Sequence, residues 1–335
     1  SMPPQPPPRC SHGCIAGSHV AGWAHVREDS REAEQTDTIY DCASLTKVTV
    51  TLPLILMLLD QGVIHLDEAV ADIIPAFATH DKSSVTLKQL LTHTSGLADH
   101  RKFYLHYRTP EQIRAAIYNE QLAYPPGMKM VYSDLGYIVL GEIVTRVLGC
   151  PLDKAAEEYL FQPLGMKDSW FRPPEKVRNR IAATEYRDWL GRHQRGEVHD
   201  ENASALGGVS GHAGLFSTIH DLARYAAMWL AKGSWGGKVI LSAATVEEAT
   251  RCQTEGLRAK RGLGWVLKGD QWDASGDLFS PSTYGHTGFT GTSMWMDPER
   301  DLFVILLTNR VHYDRYQPIA KLRACFHNAV AASTY

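Results

Sequence analysis

The chain has 335 residues, of which 44% are hydrophobic and 21% are charged, and its formal net charge at pH 7 is -3. This is the composition of an ordinary globular protein, and it offers no excess of basic residues for holding a nucleic-acid backbone. The longest apolar stretch, residues 48–59, contains two threonines and Pro53 and is too short to span a bilayer. The length predicts two domains, or one domain with a large insertion.

The N-terminal segment "SMPPQPPPRC" is rich in proline and contains no visible signal peptide. Its first two residues resemble a cloning remnant, so a periplasmic or secreted location stays open if a leader has been removed. A cytoplasmic location is favoured, because several of the scattered cysteines have apolar neighbours, as reduced thiols do; they are Cys10, Cys14, Cys42, Cys150, Cys252 and Cys325. The run "RCSHGC" lacks a fourth metal ligand, and we interpret it as an irregular or strand-entry segment.

The first third of the chain predicts strands and then a buried helix. Residues 13–26 are typical of one or two short strands interrupted by glycine. A helix is expected from Ser44 to Asp60, and its apolar residues on nearly all sides place it in the middle of a domain. The following Gln61 and Gly62 are helix-ending residues.

The middle and the end of the chain differ in character. Between residues 66 and 200, apolar residues at three- and four-residue spacing predict helices at 86–93, 109–119, 134–149 and 152–166. A helix follows Thr218, whose spacing to Asp221 is that of a capping pair. Strands are expected in "GLGWVLK", "YGHTG", "TSMWM" and "DLFVILLTN", and a last helix over 318–332.

This order predicts an α/β (α+β) fold with an antiparallel sheet flanked by helices and an inserted all-helical domain. The sheet domain comprises residues 10–75 and 203–335, with the two ends of the chain completing one sheet, and the helical insertion comprises 76–202. A cleft between the two domains is a natural place for a functional site. The oligomeric state is not specified.

The stretch "YDCASLTKVTVT" places Ser44 three residues before Lys47 at the start of the buried helix. Residues three apart share a helix face, so the lysine amine can reach the serine hydroxyl and help to remove its proton. Free backbone N–H groups in the first helical turn suit a developing oxyanion. Chance explains a lone Ser-x-x-Lys equally well, but two further clusters favour chemistry: "VYSDLGY", with Tyr132 and Asp134, and "YGHTG", with His286.

Six motifs in order resemble the serine β-lactamase and penicillin-binding-protein superfamily, on the branch of class C β-lactamases, carboxypeptidases and esterases. The resemblance covers residues 13–309. It is carried by "SLTK" (44–47), "LLTHTSGL" (90–97), "PPGMKMVYSDLGYIVLGEIV" (125–144), "QPLGM" (162–166), "AGLFST" (213–218) and "GHTGFTG" (285–291). It implies a class C β-lactamase-like fold and covalent acyl-enzyme chemistry without a metal or an organic cofactor.

The resemblance also implies a role for each matching residue. Ser44 matches the acylated nucleophile, Lys47 its base or proton shuttle, and Tyr132 the tyrosine that moves protons between nucleophile and leaving group. The substrate-binding positions implied are Asp134, His286, Thr287, Gly288 and Phe289, the last through its backbone N–H, which pairs with that of Ser44 as an oxyanion hole. Structural alternatives stay open: Asp134 as a helix cap, Tyr132 as a packed aromatic and His286 as a core histidine.

Two departures from the family pattern bear on the function. Asp134 stands where the family has asparagine, and a carboxylate there would keep Lys47 protonated, which makes Tyr132 the favoured general base. His286 stands where the family has lysine and is only partly charged at neutral pH. We therefore expect an esterase, or a cell-wall peptide amidase or carboxypeptidase, rather than an efficient β-lactamase, acting on a small-molecule or peptide ester or amide.

Two alternatives to a hydrolase stay open. One is an acyltransferase on the same fold, and the other is a penicillin-binding or sensor protein that is acylated without turnover. Within the superfamily, the narrowest group that the sequence resembles is the cell-wall N-acetylmuramyl-L-alanine amidases. A polar cluster at residues 199–202 (His, Asp, Glu, Asn) could suggest a metal, but adjacent side chains point in different directions, so a loop facing the substrate is the preferred interpretation.

Overall fold

The computed structural model describes residues 17–27 and 30–334, so the interpretation of Cys10, His12 and Cys14 lies outside the described residues. In this part of the chain the α-helices are α1 (Leu52–Asp60), α2 (Val70–Ile73), α3 (Leu87–Leu91), α4 (Pro110–Tyr118), α5 (Asp134–Leu148), α6 (Leu152–Ala156), α7 (Gln162–Leu164), α8 (Glu201–Ala205), α9 (Ile219–Leu230), α10 (Ala243–Thr250) and α11 (Ala320–Ser333).

The strands of the same residues are β1 (Trp23–Val26), β2 (Arg31–Ala33), β3 (Tyr40–Asp41), β4 (Trp170–Phe171), β5 (Tyr186–Arg187), β6 (Arg192–His193), β7 (Leu215–Ser217), β8 (Ser234–Trp235), β9 (Lys238–Val239), β10 (Val266–Leu267), β11 (Tyr284–Thr287), β12 (Ser293–Asp297) and β13 (Leu302–Leu306).

The main sheet is antiparallel and has the order β10-β11-β12-β13. In its register His286 faces Met294 and Thr287 faces Ser293. Strand β12 is buried along its whole length, because α9 and α11 pack on the sheet. Apolar residues therefore cover both faces of the sheet, as expected for a sheet flanked by helices.

The N-terminal strands do not continue this sheet. Strands β1 and β2 pair only with each other, and β3 joins a separate sheet of order β3-β7-β4. The expectation that both ends of the chain complete one sheet is therefore wrong for the residues described. The ends still meet through side chains: Asn309 Nδ2 donates to the Ala24 carbonyl at 3.2 Å, and the Val26 N–H donates to His312 Nε2 at 3.1 Å.

The buried helix predicted from Ser44 is present, but it contains a π-helical turn near its start. Lys47–Thr51 form that turn, and α1 continues directly to Asp60. All five residues of the turn are buried, so this segment has no solvent-facing side. Gly62 then adopts a left-handed φ of 68°, which ends the helical path.

The segment 76–202 contains helices α3 to α7 and also strands β4, β5 and β6, and its separation as an inserted helical domain stays a prediction. Helices α3 and α4 each begin with a capping box, formed by Thr86 with Gln89 and by Thr109 with Gln112. Helix α5 packs against the turn that begins at Lys47. This contact brings the start of α5 to the start of the buried helix.

Within residues 17–27 and 30–334 no single helix has the length and apolar character of a membrane span. The bent pair Asp134–Leu148 and Leu152–Leu164 meets that test jointly, by length and composition only, with an angle of 77° between its halves.

Candidate active site

Ser44 lies at a sharp turn between strand β3 and the buried helix. The turn is shaped by the buried carboxylate of Asp41, which accepts the Ala43 N–H at 2.8 Å and the His199 N–H at 2.7 Å. Ala43 has a left-handed φ of 47°, an uncommon conformation for a residue with a Cβ. The turn presents the half-buried Ser44 at the first helical turn, where the sequence predicted it.

Lys47 uses all three ammonium donors inside the site. Its Nζ lies 3.0 Å from Ser44 Oγ, 3.0 Å from the His212 carbonyl oxygen and 2.7 Å from Asp134 Oδ1, and its side chain is fully buried. Burial lowers the pKa of Lys47, but Asp134 and Tyr132 outweigh burial and raise it above its ordinary value. Lys47 is therefore an ammonium at neutral pH and donates a charge-assisted hydrogen bond to Ser44.

Asp134 is the first residue of α5 and not its cap. The cap is Ser133, whose hydroxyl accepts the Gly136 N–H at 3.3 Å. Burial raises the pKa of Asp134, but Lys47 and a hydrogen bond from His100 hold that pKa well below its usual range. The helix N-terminus also favours the carboxylate. Asp134 and Lys47 thus form a charged pair, as the aspartate at this position predicts.

Tyr132 is held by aromatic contacts on several sides. Its ring centroid lies 4.6 Å from that of His93, 5.7 Å from that of Trp272 and 5.9 Å from that of His286. Burial raises the pKa of Tyr132, while the positive charge of Lys47 acts in the opposite direction. The phenol is therefore neutral at rest, and the Lys47 ammonium lies 5.0 Å from the centroid of its ring.

The ring of His93 lies against the ring of Tyr132. Its Nδ1 accepts the Ser133 N–H at 3.0 Å, which places its proton on Nε2, and Nε2 has no hydrogen-bond partner in the described part of the chain. Burial holds the pKa of His93 far below its usual value. We expected the 93–97 run to be structural, and the placement of His93 behind Tyr132 agrees with a supporting role.

His286 lies in strand β11 and is buried, with 3% of its surface exposed. Its Nδ1 lies 2.7 Å from the Thr287 carbonyl oxygen, and Nε2 has no partner among the described residues. Burial, with Lys47 and Arg261 nearby, lowers the pKa of His286 to about 3. It is therefore neutral at neutral pH and cannot supply the cationic charge of a lysine.

Gly288 brings the end of β11 against the Ser44 turn. A Cβ at Gly288 would lie only 2.6 Å from the Cys42 carbonyl oxygen, so only glycine fits without a shift. The next residue, Phe289, is 40% exposed. Within residues 17–27 and 30–334, the N–H groups of Ser44 and Phe289 donate to no protein acceptor. Backbone amides without a protein acceptor are the kind of donor that an oxyanion hole uses.

The polar cluster at 199–202 divides among different partners, as expected. His199 Nε2 lies 2.7 Å from a Glu185 oxygen, and Asn202 Nδ2 donates to the Arg101 carbonyl at 2.7 Å. Asp200 turns toward the site, where its Oδ1 lies 2.8 Å from His212 Nε2.

One group with metal-ligand character involves residues that the sequence did not single out together. Ligand atoms of Asp134, Asp200 and His212 lie within 4.8 Å of one another. The hydrogen bond between His212 and Asp200, and the Lys47 ammonium against Asp134, already occupy these atoms. The group is therefore well described as a hydrogen-bond network behind Lys47. In the sequence, only the place of His212 directly before the "AGLFST" motif indicated that this histidine lies near the site.

A family model described as "Beta-lactamase" matches residues 12–326. A protein of Escherichia coli K12 named "Putative D-alanyl-D-alanine carboxypeptidase" is 36% identical over 306 residues, which cover 83% of this chain and 70% of that protein. A β-lactamase structure from Mycobacterium bovis is 25% identical, with a TM-score of 0.62 and coverage of 91% of this chain and 90% of its own.

A class C β-lactamase from Rhodobacter sphaeroides shares the fold, with a TM-score of 0.71, 20% identity and coverage of 93% of this chain and 90% of its own. The family match defines a hydrolase of the β-lactamase family, and its fold is that of a class C β-lactamase, which confirms the predicted fold class. The chain belongs to the beta-lactamase family, and the resemblance seen in the six motifs is confirmed.

Proposed function

We propose that this chain hydrolyses an ester or amide through a covalent acyl-enzyme on Ser44. The observation that carries the proposal is the contact of Ser44 Oγ with the Lys47 ammonium at 3.0 Å, next to two backbone amides without a protein acceptor. This contact supports the roles of Ser44 as nucleophile and Lys47 as activating cation, with the two amides as donors for the oxyanion.

In the acylation step, the Ser44 oxygen forms a bond to the carbonyl carbon, and the carbonyl electron pair moves onto its oxygen. The Ser44 and Phe289 amides stabilise that oxyanion. The Ser44 proton passes to the Tyr132 oxygen as the phenol gives its own proton to the leaving group. This exchange suits a tyrosine that is neutral at rest. Collapse of the intermediate breaks the bond to the leaving group and gives the acyl-enzyme.

Deacylation repeats the exchange with water. The water oxygen bonds to the acyl carbon and its proton passes to Tyr132, while Tyr132 returns a proton to Ser44 Oγ as the ester bond breaks. Lys47 remains an ammonium in both steps, because Asp134 lies 2.7 Å away and stabilises its charge. Lys47 thus acts electrostatically, by stabilising negative charge that develops on Ser44.

The substrate class proposed is an ester or a peptide-like amide rather than a β-lactam. His286 is buried and neutral, so it supplies no fixed positive charge for a substrate carboxylate. The E. coli relative bears the name "Putative D-alanyl-D-alanine carboxypeptidase", which supports a peptide that ends in D-alanyl-D-alanine as the substrate. Residues Asp134, Thr287 and Phe289 are proposed to contact it.

The test is intact-mass labelling with a fluorophosphonate and with a penicillin, followed by assays on aryl esters, D-alanyl-D-alanine peptides and muramyl-peptides. We expect one fluorophosphonate adduct per chain and its loss in Ser44→Ala. Ser204→Ala, which changes an exposed serine of α8, is the matched control and should label normally. Ester hydrolysis that survives in Ser44→Ala would rule out Ser44 as the nucleophile.

A further inference from the structure

Arg323, on helix α11, lies against the loop that supplies the Phe289 amide. Only 9% of its surface is exposed. Its guanidinium donates to three carbonyl oxygens: Gly288 at 2.8 Å, Thr292 at 2.8 Å and Gly291 at 3.2 Å. Three carbonyls of one short loop therefore converge on a single buried side chain.

Arg323 is a buried cation without a buried anion. In the described part of the chain, no carboxylate lies within ion-pair distance of it, although burial of an uncompensated charge is costly. Burial, together with Arg310, lowers the pKa of Arg323 to about 10, so the side chain remains charged at neutral pH. Only carbonyl dipoles compensate this charge, and such a costly arrangement points to a use for the charge itself.

The Gly288 carbonyl and the Phe289 N–H belong to the same peptide group. A donor on the carbonyl fixes the plane of that peptide and so fixes the direction of the N–H on its opposite side. A charged donor also polarises the peptide, which makes the N–H a stronger donor, since hydrogen bonds in a chain strengthen one another. Arg323 therefore acts on the oxyanion site through one peptide group.

The same loop is fastened to the Ser44 turn. The Thr290 hydroxyl donates to the Asp41 carbonyl at 2.8 Å, and the Thr292 hydroxyl donates to the Cys42 carbonyl at 3.2 Å. The loop is closed on itself by the Gly288 N–H, which donates to the Thr292 carbonyl at 2.8 Å. With Arg323 on its carbonyls, the loop holds the Phe289 amide at a set position relative to the Ser44 amide.

We propose that Arg323 is a positioning residue for the oxyanion hole, which orients and polarises the Gly288–Phe289 peptide without touching the substrate. This inference rests on the proposed acyl-enzyme function. It assigns to the C-terminal helix a part in transition-state stabilisation. Substrate binding in the ground state should depend little on it, because the charge on the carbonyl oxygen develops only in the transition state.

The experiment compares Arg323→Met and Arg323→Lys with wild type on an aryl ester. Lys321→Met is the control, because it removes an exposed cation from the same helix. Concentrations are corrected for active sites by end-point fluorophosphonate labelling. We expect kcat and kcat/KM to fall together by about tenfold to hundredfold in Arg323→Met, with KM within about twofold, and a smaller fall in Arg323→Lys.

The deciding readout is the affinity for an arylboronic acid, whose tetrahedral adduct on serine places an oxygen in the hole. Across the variants, the boronate Kd should rise by the factor by which kcat/KM falls. A purely structural role would lower the melting temperature and the number of active sites, yet leave kcat and boronate affinity per active site unchanged, and that result would overturn the inference. If Ser44→Ala retains ester hydrolysis, the proposed function fails instead, whatever the Arg323 variants show.

Discussion

Replacing Asp134 by asparagine tests whether a carboxylate keeps Lys47 charged. The change restores the family's residue at this position and removes the anion 2.7 Å from the Lys47 ammonium. Because burial alone lowers the pKa of Lys47, that pKa should fall in Asp134→Asn. If the ammonium form is the working form, the alkaline limb of the kcat/KM profile moves to lower pH.

The size of the effect follows from the separation and the burial of the pair. At 2.7 Å, and with an effective dielectric constant of about 20, the Coulomb attraction is about 6 kcal/mol before desolvation is subtracted. Removing one partner of a buried pair costs about 3–5 kcal/mol. The Asp134 side chain is 18% exposed, so we expect the lower end, about 3 kcal/mol of unfolding free energy at pH 7.

The stability of the pair also depends on pH. Since the pKa of Asp134 is depressed in the folded state, its contribution is complete above the unfolded pKa of about 4 and is lost as pH falls through the lower folded value. Asp134→Asn should lack that acid-side loss. Denaturant unfolding at several pH values measures it.

The control for this prediction is Glu157→Gln, which breaks an exposed pair with Lys154 and should change stability by less than about 1 kcal/mol. The pH–rate profile of Asp134→Asn decides the role of Lys47. If the alkaline limb of the kcat/KM profile does not move, Asp134 is not what keeps Lys47 protonated. Higher activity at neutral pH with a new acidic limb would identify neutral Lys47 as the base.

Three further results are expected. Tyr132→Phe should lower kcat/KM by about 10²–10⁴, because it removes the proton carrier, while the unfolding free energy stays within about 1 kcal/mol; an active variant would refute the role. Gly288→Ala should reduce both activity and melting temperature, since its Cβ would meet the Cys42 carbonyl at 2.6 Å, whereas Gly17→Ala, with nothing within 4 Å, should change neither. The free energy of unfolding, measured with urea, should fall as pH drops from about 6.5 toward 4, because histidines that are neutral in the folded state take up protons on unfolding. These histidines are His25 (pKa about 4), His286 (pKa about 3) and His327 (pKa about 4). A rise in stability over this range would contradict the prediction.

The sequence was informative wherever the chemistry is local. Ser44 and Lys47 meet because one helical turn separates them, and apolar residues on every side predicted the buried helix that carries them. The π-helical turn near the start of this helix was not predictable, because hydrophobic periodicity does not report hydrogen-bond spacing when every face is apolar. The aspartate at position 134 correctly indicated a charged partner for Lys47.

Contacts between distant parts of the chain could not be predicted from the sequence. The His212 carbonyl that accepts a hydrogen bond from Lys47 is 165 residues away in sequence, and Arg323 is 35 residues from Gly288. Strand signals near the N-terminus identified β1, but the partner of a strand depends on tertiary packing, and β1 pairs with β2 instead of with the main sheet. Residue patterns on one element cannot specify which carbonyls a buried arginine will reach.

The two departures from the family pattern are electrostatically linked. The negative charge of Asp134 balances the positive charge of Lys47. His286 is uncharged, because burial, Lys47 and Arg261 all disfavour its protonated form. A lysine at position 286 would add a further buried cation beside Lys47, and asparagine at position 134 would leave Lys47 unbalanced. With both changes, Lys47 and Asp134 balance each other and position 286 adds no charge, so in the proposed mechanism backbone amides are the main stabilisers of the oxyanion. That mechanism would depend strongly on the orientation of those amides, which is the role proposed for the buried charge of Arg323.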